Sequence, residues 1–126
     1  MANFSLSSTV LRHPRLPYEQ MKDDVLGTSY SLSLVFIGPD RARRLNREHR
    51  KKDYVPNVLS FPLDETHGEL YITPAVATRE AAARGMSVTG YVGFLFNHGM
   101  LHLKGMAHGA RMEQAEAQHC ATYRLS

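Results

Sequence analysis

Three histidines between positions 98 and 108 carry the most specific chemistry in the chain: His98, His102 and His108, in the segment HGMLHLKGMAH. His98 and His102 stand four residues apart in an apolar stretch that predicts a helix. Four residues advance about 400°, so the two imidazoles fall about 40° apart on one helix face. Gly105 can take the left-handed conformation that ends a helix, and the chain can then return His108 to the same point. The spacing H-x-x-x-H-x-x-G-x-x-H is that of the metzincin metal site. Three neutral imidazoles with an open fourth position suit one Zn²⁺ per chain, with other divalent ions admissible. An ion so held lowers the pKa of a bound water towards ~7, or polarises a phosphoryl oxygen. In metalloproteases of this spacing the residue after the first histidine is a glutamate that takes the proton from that water. Here it is Gly99, so peptide hydrolysis by that route is disfavoured and another substrate is indicated. His13, His49, His67 and His119 lack partners at ligand spacing and read as solvated residues.

A second feature is the distribution of charge. The formal total is +3, yet Arg41, Arg43, Arg44, Arg47, Arg50, Lys51 and Lys52 are interrupted by one acid, Glu48, so the rest of the chain is net acidic. Such a segment attracts polyanions, and a solvated helix face is the equal alternative on charge alone.

The elements that must position these residues can be read from the pattern. Residues 3–10 alternate weakly as a short strand. Pro17 opens a helix over Tyr18–Leu26 that stops at Gly27. Tyr30–Ile37 alternates and then turns wholly apolar, as a strand does when one end is buried on both faces. Asp40 is positioned to cap a helix over Arg41–His49 with Leu45 inward. Asn57–Phe61 is a short strand that Pro62 should stop, Pro62–His67 a hairpin loop, and Gly68–Ile72 the returning strand. Thr73-Pro74 opens a helix to Arg84, with Gly85 after it. Helices over Thr89–Leu103 and Arg111–Tyr123 complete the order. Mixed strands and helices followed by helices alone predict an α+β fold: a small mixed four-stranded sheet covered by helices, with the metal site on a helix near the C-terminus.

A chain of 126 residues predicts one domain over 1–126. With 43% hydrophobic and 21% charged residues it can build an ordinary core. The lone Cys120 excludes an intrachain disulfide and reads as a buried thiol. The apolar run around Tyr91–Phe96 is too short to cross a bilayer, and residues 1–10 carry no basic leader, so a cytoplasmic protein without a membrane partner is expected.

Two long segments resemble one family. Leu45–Pro62, LNREHRKKDYVPNVLSFP, is similar to the LNxxYRxKDxxTDVLSFP stretch of the YbeY endoribonucleases, the rRNA maturation factors. His98–His108 is similar to their HGxLHLxGYDH metal motif, and Gly68–Ile72 to the GDIxIS strand between them. Order and spacing agree over roughly residues 30–125. The resemblance implies a metal-dependent, single-strand-specific endoribonuclease of 16S-type rRNA 3′-end processing and ribosome quality control, with rRNA and the ribosomal subunit as partners. It also implies a small mixed sheet with helices, one ion, usually zinc, on the three histidines, and a catalytic role for Arg50. The planar fork of Arg50 suits a scissile phosphate, while Arg47, Lys51 and Lys52 suit its neighbours. Asn57 and Ser60 can line the same groove. Departures from the family pattern are His49 for tyrosine, Pro56-Asn57 for Thr-Asp, and Met106-Ala107 for Tyr-Asp; the chain also reads as short at its N-terminal side. A carboxylate that supports a metal site is worth 10–100-fold in affinity or activity. Two other readings stand beside this one: a non-catalytic ribosome-associated RNA-binding factor, and a metal-dependent hydrolase of another substrate, weakened for peptides by Gly99. The oligomeric state is not fixed by the pattern.

Overall fold

The alternation in SLSLVF sets the centre of the molecule. In β2 (Ser31–Phe36), Leu32, Leu34 and Phe36 are buried while Ser31, Ser33 and Val35 are half-buried. A computed structural model describes residues 3–105 and 109–126. Its sheet runs in the order β1-β2-β4-β3, with β1 (Phe4–Ser8), β3 (Val58–Asp64) and β4 (His67–Ile72). β1 and β4 flank β2 in parallel, and β3 returns antiparallel on β4. The register places Leu34 beside Leu70 and Ser60 opposite Leu70, so these three share a face. Leu59, Phe61 and Tyr71 lie on the other.

Five helices are described: α1 (Tyr18–Leu26), α2 (Pro39–Arg50), α3 (Pro74–Ala83), α4 (Val88–Leu103) and α5 (Ala110–Tyr123). α4 crosses the face that holds Leu70 and packs on β3, β4, α1, α3 and α5. Phe96, Met100 and Leu101 of α4 join Leu34, Phe36, Leu70 and Ile72 in the main core. Each such side chain taken fully out of water contributes about 1.5–3 kcal/mol. On the opposite face His49 of α2 meets Phe61 at 5.1 Å between ring centroids, and Phe61 meets Tyr71 at 5.7 Å. This α+β arrangement, a mixed four-stranded sheet with helices on both faces, is the architecture the sequence pattern predicts.

Several local expectations are revised. Pro62 does not stop the strand: β3 continues to Asp64, because β3 is a sheet edge where a missing N–H is tolerated, with a register shift between Pro62 and Asp64. Asp40 sits inside the first turn of α2; Gly38 is the cap and Pro39 the first helical residue. Ala42 and Asn46, rather than Leu45, form the fully buried face of α2. His13 is not a solvated residue but stacks on Phe36 with ring centroids 4.3 Å apart. Cys120 is half-buried. Among the described residues no helix is long and apolar enough to cross a membrane.

Candidate functional site

α4 is the spine of the site. Ser87 caps it, its Oγ accepting from the Gly90 N–H at 3.0 Å. In its last two turns it presents His98 and His102, whose Nε2 atoms lie 3.1 Å apart. Two ligands of a tetrahedral zinc at about 2.0–2.1 Å are separated by roughly 3.3 Å. The paired imidazoles therefore fit one ion in both donor chemistry and spacing. Among the described residues no third His, Cys, Asp or Glu completes a metal-binding group with them. His108, the third expected ligand, lies outside the described residues, as do Met106 and Ala107.

Behind His98 stands a residue that motif reading missed. Glu116 of α5 is buried, and its Oε1 lies 3.3 Å from His98 Nδ1. A carboxylate only accepts, so this contact puts the ring hydrogen on Nδ1 and leaves the Nε2 lone pair facing the His102 side. The signal was available: with Met112 and Cys120, Glu116 occupies one stripe of α5 at four-residue spacing, an acid on an otherwise apolar face.

The close approach of α4 to the sheet depends on Gly99. A Cβ there would sit 2.6 Å from Leu70 Cδ1 and 3.0 Å from Ser60 Oγ. Ser60 Oγ instead donates to the Gly99 carbonyl at 3.0 Å, tying β3 to α4. The position held by glutamate in the metalloproteases faces the sheet here and has no room for any side chain.

Arg50 is the last residue of α2 and is exposed. It lines a cavity of about 400 Å³ together with Tyr54, Asn57, Val58, Ser60, His98 and His102. The helix ends because Lys51 takes a left-handed conformation, φ 57°, and the Asn46 carbonyl collects the Lys51 and Lys52 N–H groups. The buried Asn46 amide also donates to the Tyr54 carbonyl at 3.1 Å. These bonds fix the helix end and the following loop from which Arg50, Lys51 and Lys52 project. Arg43 and Arg47 lean instead towards Asp53, at 2.9 and 3.8 Å. The hydrogen bond from Arg43 holds the Asp53 carboxyl below its usual range. Asn57 lies at the cavity wall, but its Nδ2 donates to Glu80 Oε1 at 2.9 Å and its Oδ1 accepts from the Val58 N–H at 2.7 Å. Its amide thus braces the wall internally. His49 and His67 are exposed and sit apart from this cavity, and burial lowers the pKa of the half-buried His119.

The fold and the site define an α+β protein that sets an imidazole pair on its central apolar helix beside an arginine-tipped basic helix. Residues 9–123 match the family described as Endoribonuclease YbeY, and this chain belongs to that family. The Endoribonuclease YbeY of Aromatoleum aromaticum is 40% identical over 90 residues, 69% of this chain and 58% of that protein. That of Neisseria gonorrhoeae is 33% identical over 122 residues, 88% of this chain and 70% of that protein. The chain thus spans little more than half the length of the Aromatoleum relative. A solution structure of a Thermotoga maritima protein shares the fold, with a TM-score of 0.67, 17% identity, and coverage of 96% of this chain and 91% of that one.

Proposed function

We propose that this chain is a metal-dependent endoribonuclease that cuts single-stranded RNA in the maturation of rRNA, with a part in ribosome quality control in the cytoplasm. Membership of the YbeY family supports the reaction class. The observation that carries the mechanism is that Arg50, His98 and His102 line one cavity although they come from distant parts of the chain. His98 and His102, with His108, would hold the ion, zinc by donor chemistry, and the ion would supply positive charge to the reacting phosphate and its nucleophile. Arg50 binds the non-bridging phosphate oxygens and offsets the charge that builds on them as the bond breaks. Lys51 and Lys52, and Arg47 where Asp53 releases it, hold flanking phosphates of an rRNA strand on the ribosomal subunit. Glu116 keeps the His98 ring in one tautomer and orientation. Ser60 and Gly99 hold α4 at a fixed height above the sheet, which keeps the imidazoles level with Arg50.

Metal content and cleavage of a single-stranded rRNA fragment test this together. The protein should carry about one divalent ion per chain, and both His102→Ala and Arg50→Ala should abolish cleavage. Cleavage that survives His102→Ala would sink the metal mechanism. Salt-sensitive RNA binding with no cleavage under any divalent ion would favour a binding factor instead.

A further inference from the structure

The cavity of Arg50 does not end at His98. Asn57, Val58 and His98 also line a second cavity, of about 520 Å³, so the two adjoin across the histidine. The far wall of the second is built by helical spacing on α4. Tyr91, Phe94 and His98 follow at three and four residues, which places their rings along one face. Tyr91 and Phe94 stack with centroids 5.9 Å apart and planes 11° apart, and Phe94 stacks towards His98 at 6.1 Å and 27°. Tyr91 is buried, whereas Phe94 is only half-buried and turns part of its ring to the cavity. The exposed Arg84 lays its guanidinium against both rings, 5.4 Å from the Tyr91 centroid and 5.3 Å from that of Phe94. The opposite wall carries two carboxylates, Glu113 and Glu116.

This wall differs in kind from the Arg50 side. Two acids against one arginine disfavour a phosphate, whereas a ladder of aromatic faces with a guanidinium beside it favours a flat, uncharged ring. Stacking on aromatic side chains, with help from arginine, is how proteins hold the bases of single strands. We infer that the second cavity is a nucleobase subsite: the base next to the phosphate held at Arg50 and His98 turns into it, packs against Phe94 and is steadied by Arg84. The inference rests on the RNA-cleavage reading and assigns the part of the substrate that the second cavity takes. A base paired in a helix cannot turn in without unpairing, so the subsite itself selects single strands. Because every base has a π-face, it does so with little sequence preference.

The test is equilibrium binding of a labelled 2′-O-methyl decauridine, a probe that resists cleavage, to the full chain. The same decamer is then used with an abasic residue at each internal position in turn. One abasic position should weaken binding about tenfold, the scale of one base stacked on an aromatic ring. Phe94→Leu, which keeps the bulk and removes the π-face, should weaken the intact decamer by a similar factor and the abasic decamer no further. Arg84→Gln, at an exposed position, repeats the comparison without touching the core. Equal binding of every abasic decamer overturns the inference, as does a Phe94→Leu loss that multiplies with the loss of the base. If that happens while cleavage still requires His102 and Arg50, the subsite falls and the enzymatic reading stands. If the wild-type chain does not bind the decamer, both fall.

Discussion

Gly99→Ala is the smallest perturbation that tests how the site is held. In the middle of a helix this change should stabilise by about 1 kcal/mol through backbone propensity. Here the new methyl would sit 2.6 Å from Leu70 Cδ1, 3.1 Å from Leu70 Cγ and 3.0 Å from Ser60 Oγ, against a normal carbon contact of about 3.5–4.0 Å. Leu70 is fully buried beside Leu34 in the central strand and cannot swing away. α4 must therefore lift by about an ångström, and overpacking of this kind costs about 1–3 kcal/mol. The net expectation is a loss of about 1 kcal/mol, or about 4 °C in melting temperature for a chain of this size. The lift also carries His98 and His102 away from Arg50, and a misplacement of that order costs about 100-fold in a positioned reaction. Urea denaturation of the four members of a Gly99→Ala, Leu70→Ala cycle gives the cleaner answer. Leu70→Ala alone should cost about 2–5 kcal/mol. In the Gly99→Ala background it should cost at least 1 kcal/mol less, since the methyl fills part of the void. Additivity within about 0.5 kcal/mol, or a Gly99→Ala protein stabilised by its full helix propensity, would refute the close-contact argument.

Other outcomes follow from the same geometry. Glu116→Ala should lower zinc affinity about 10–100-fold in a chelator competition while leaving the fold intact by circular dichroism; unchanged affinity would separate Glu116 from the metal site. Lys51→Gly should relieve the left-handed strain and raise the stability read from urea denaturation by roughly 0.5–1 kcal/mol while weakening RNA binding, a trade that a purely structural lysine would not show. Four phosphate contacts predict a salt slope near −3 for single-stranded RNA, and the Lys51→Ala/Lys52→Ala protein should lose about 1.4 of it. An alkaline transition is expected from the tyrosines. Burial raises Tyr18, Tyr30, Tyr71 and Tyr91, and burial with the hydrogen bond to Asp24 pushes Tyr123 up to about 12 from the ordinary 10.0. The unfolded chain ionises first, so stability holds below pH 10 and falls as the pH climbs towards 12. The urea midpoint followed with tyrosinate absorbance should show it, and Tyr123→Phe should flatten it.

Much of this could be read from the residues alone, and the exceptions share a cause. The helix over Tyr18–Leu26 is bounded by local signals, Pro17 and Gly27, and is found over those residues. The pairing of His98 with His102 is likewise local, a matter of helical period. Pro62 misled because its consequence depends on whether its strand is central or at an edge, which is a property of the whole sheet. Gly99 was legible as the absence of a general base but not as a packing necessity, since Leu70 and Ser60 reach it only through the tertiary fold. The roles of Glu116 and Arg84 are hidden from the sequence for the same reason. Each gains meaning from a ring on another helix, and no spacing rule within one segment encodes that.

The order in which the elements occur along the chain has a further consequence. β1 to α4 supply the sheet, most of the core, Arg50 and both described imidazoles, yet the carboxylate behind His98 and one wall of the second cavity come from α5. During synthesis α5 is the last of these elements to leave the ribosome, after the earlier ones have had time to collapse. The growing polypeptide therefore has both described imidazoles before it has the carboxylate that orients one of them, and the His98 ring is held only once α5 has followed α4 and docked.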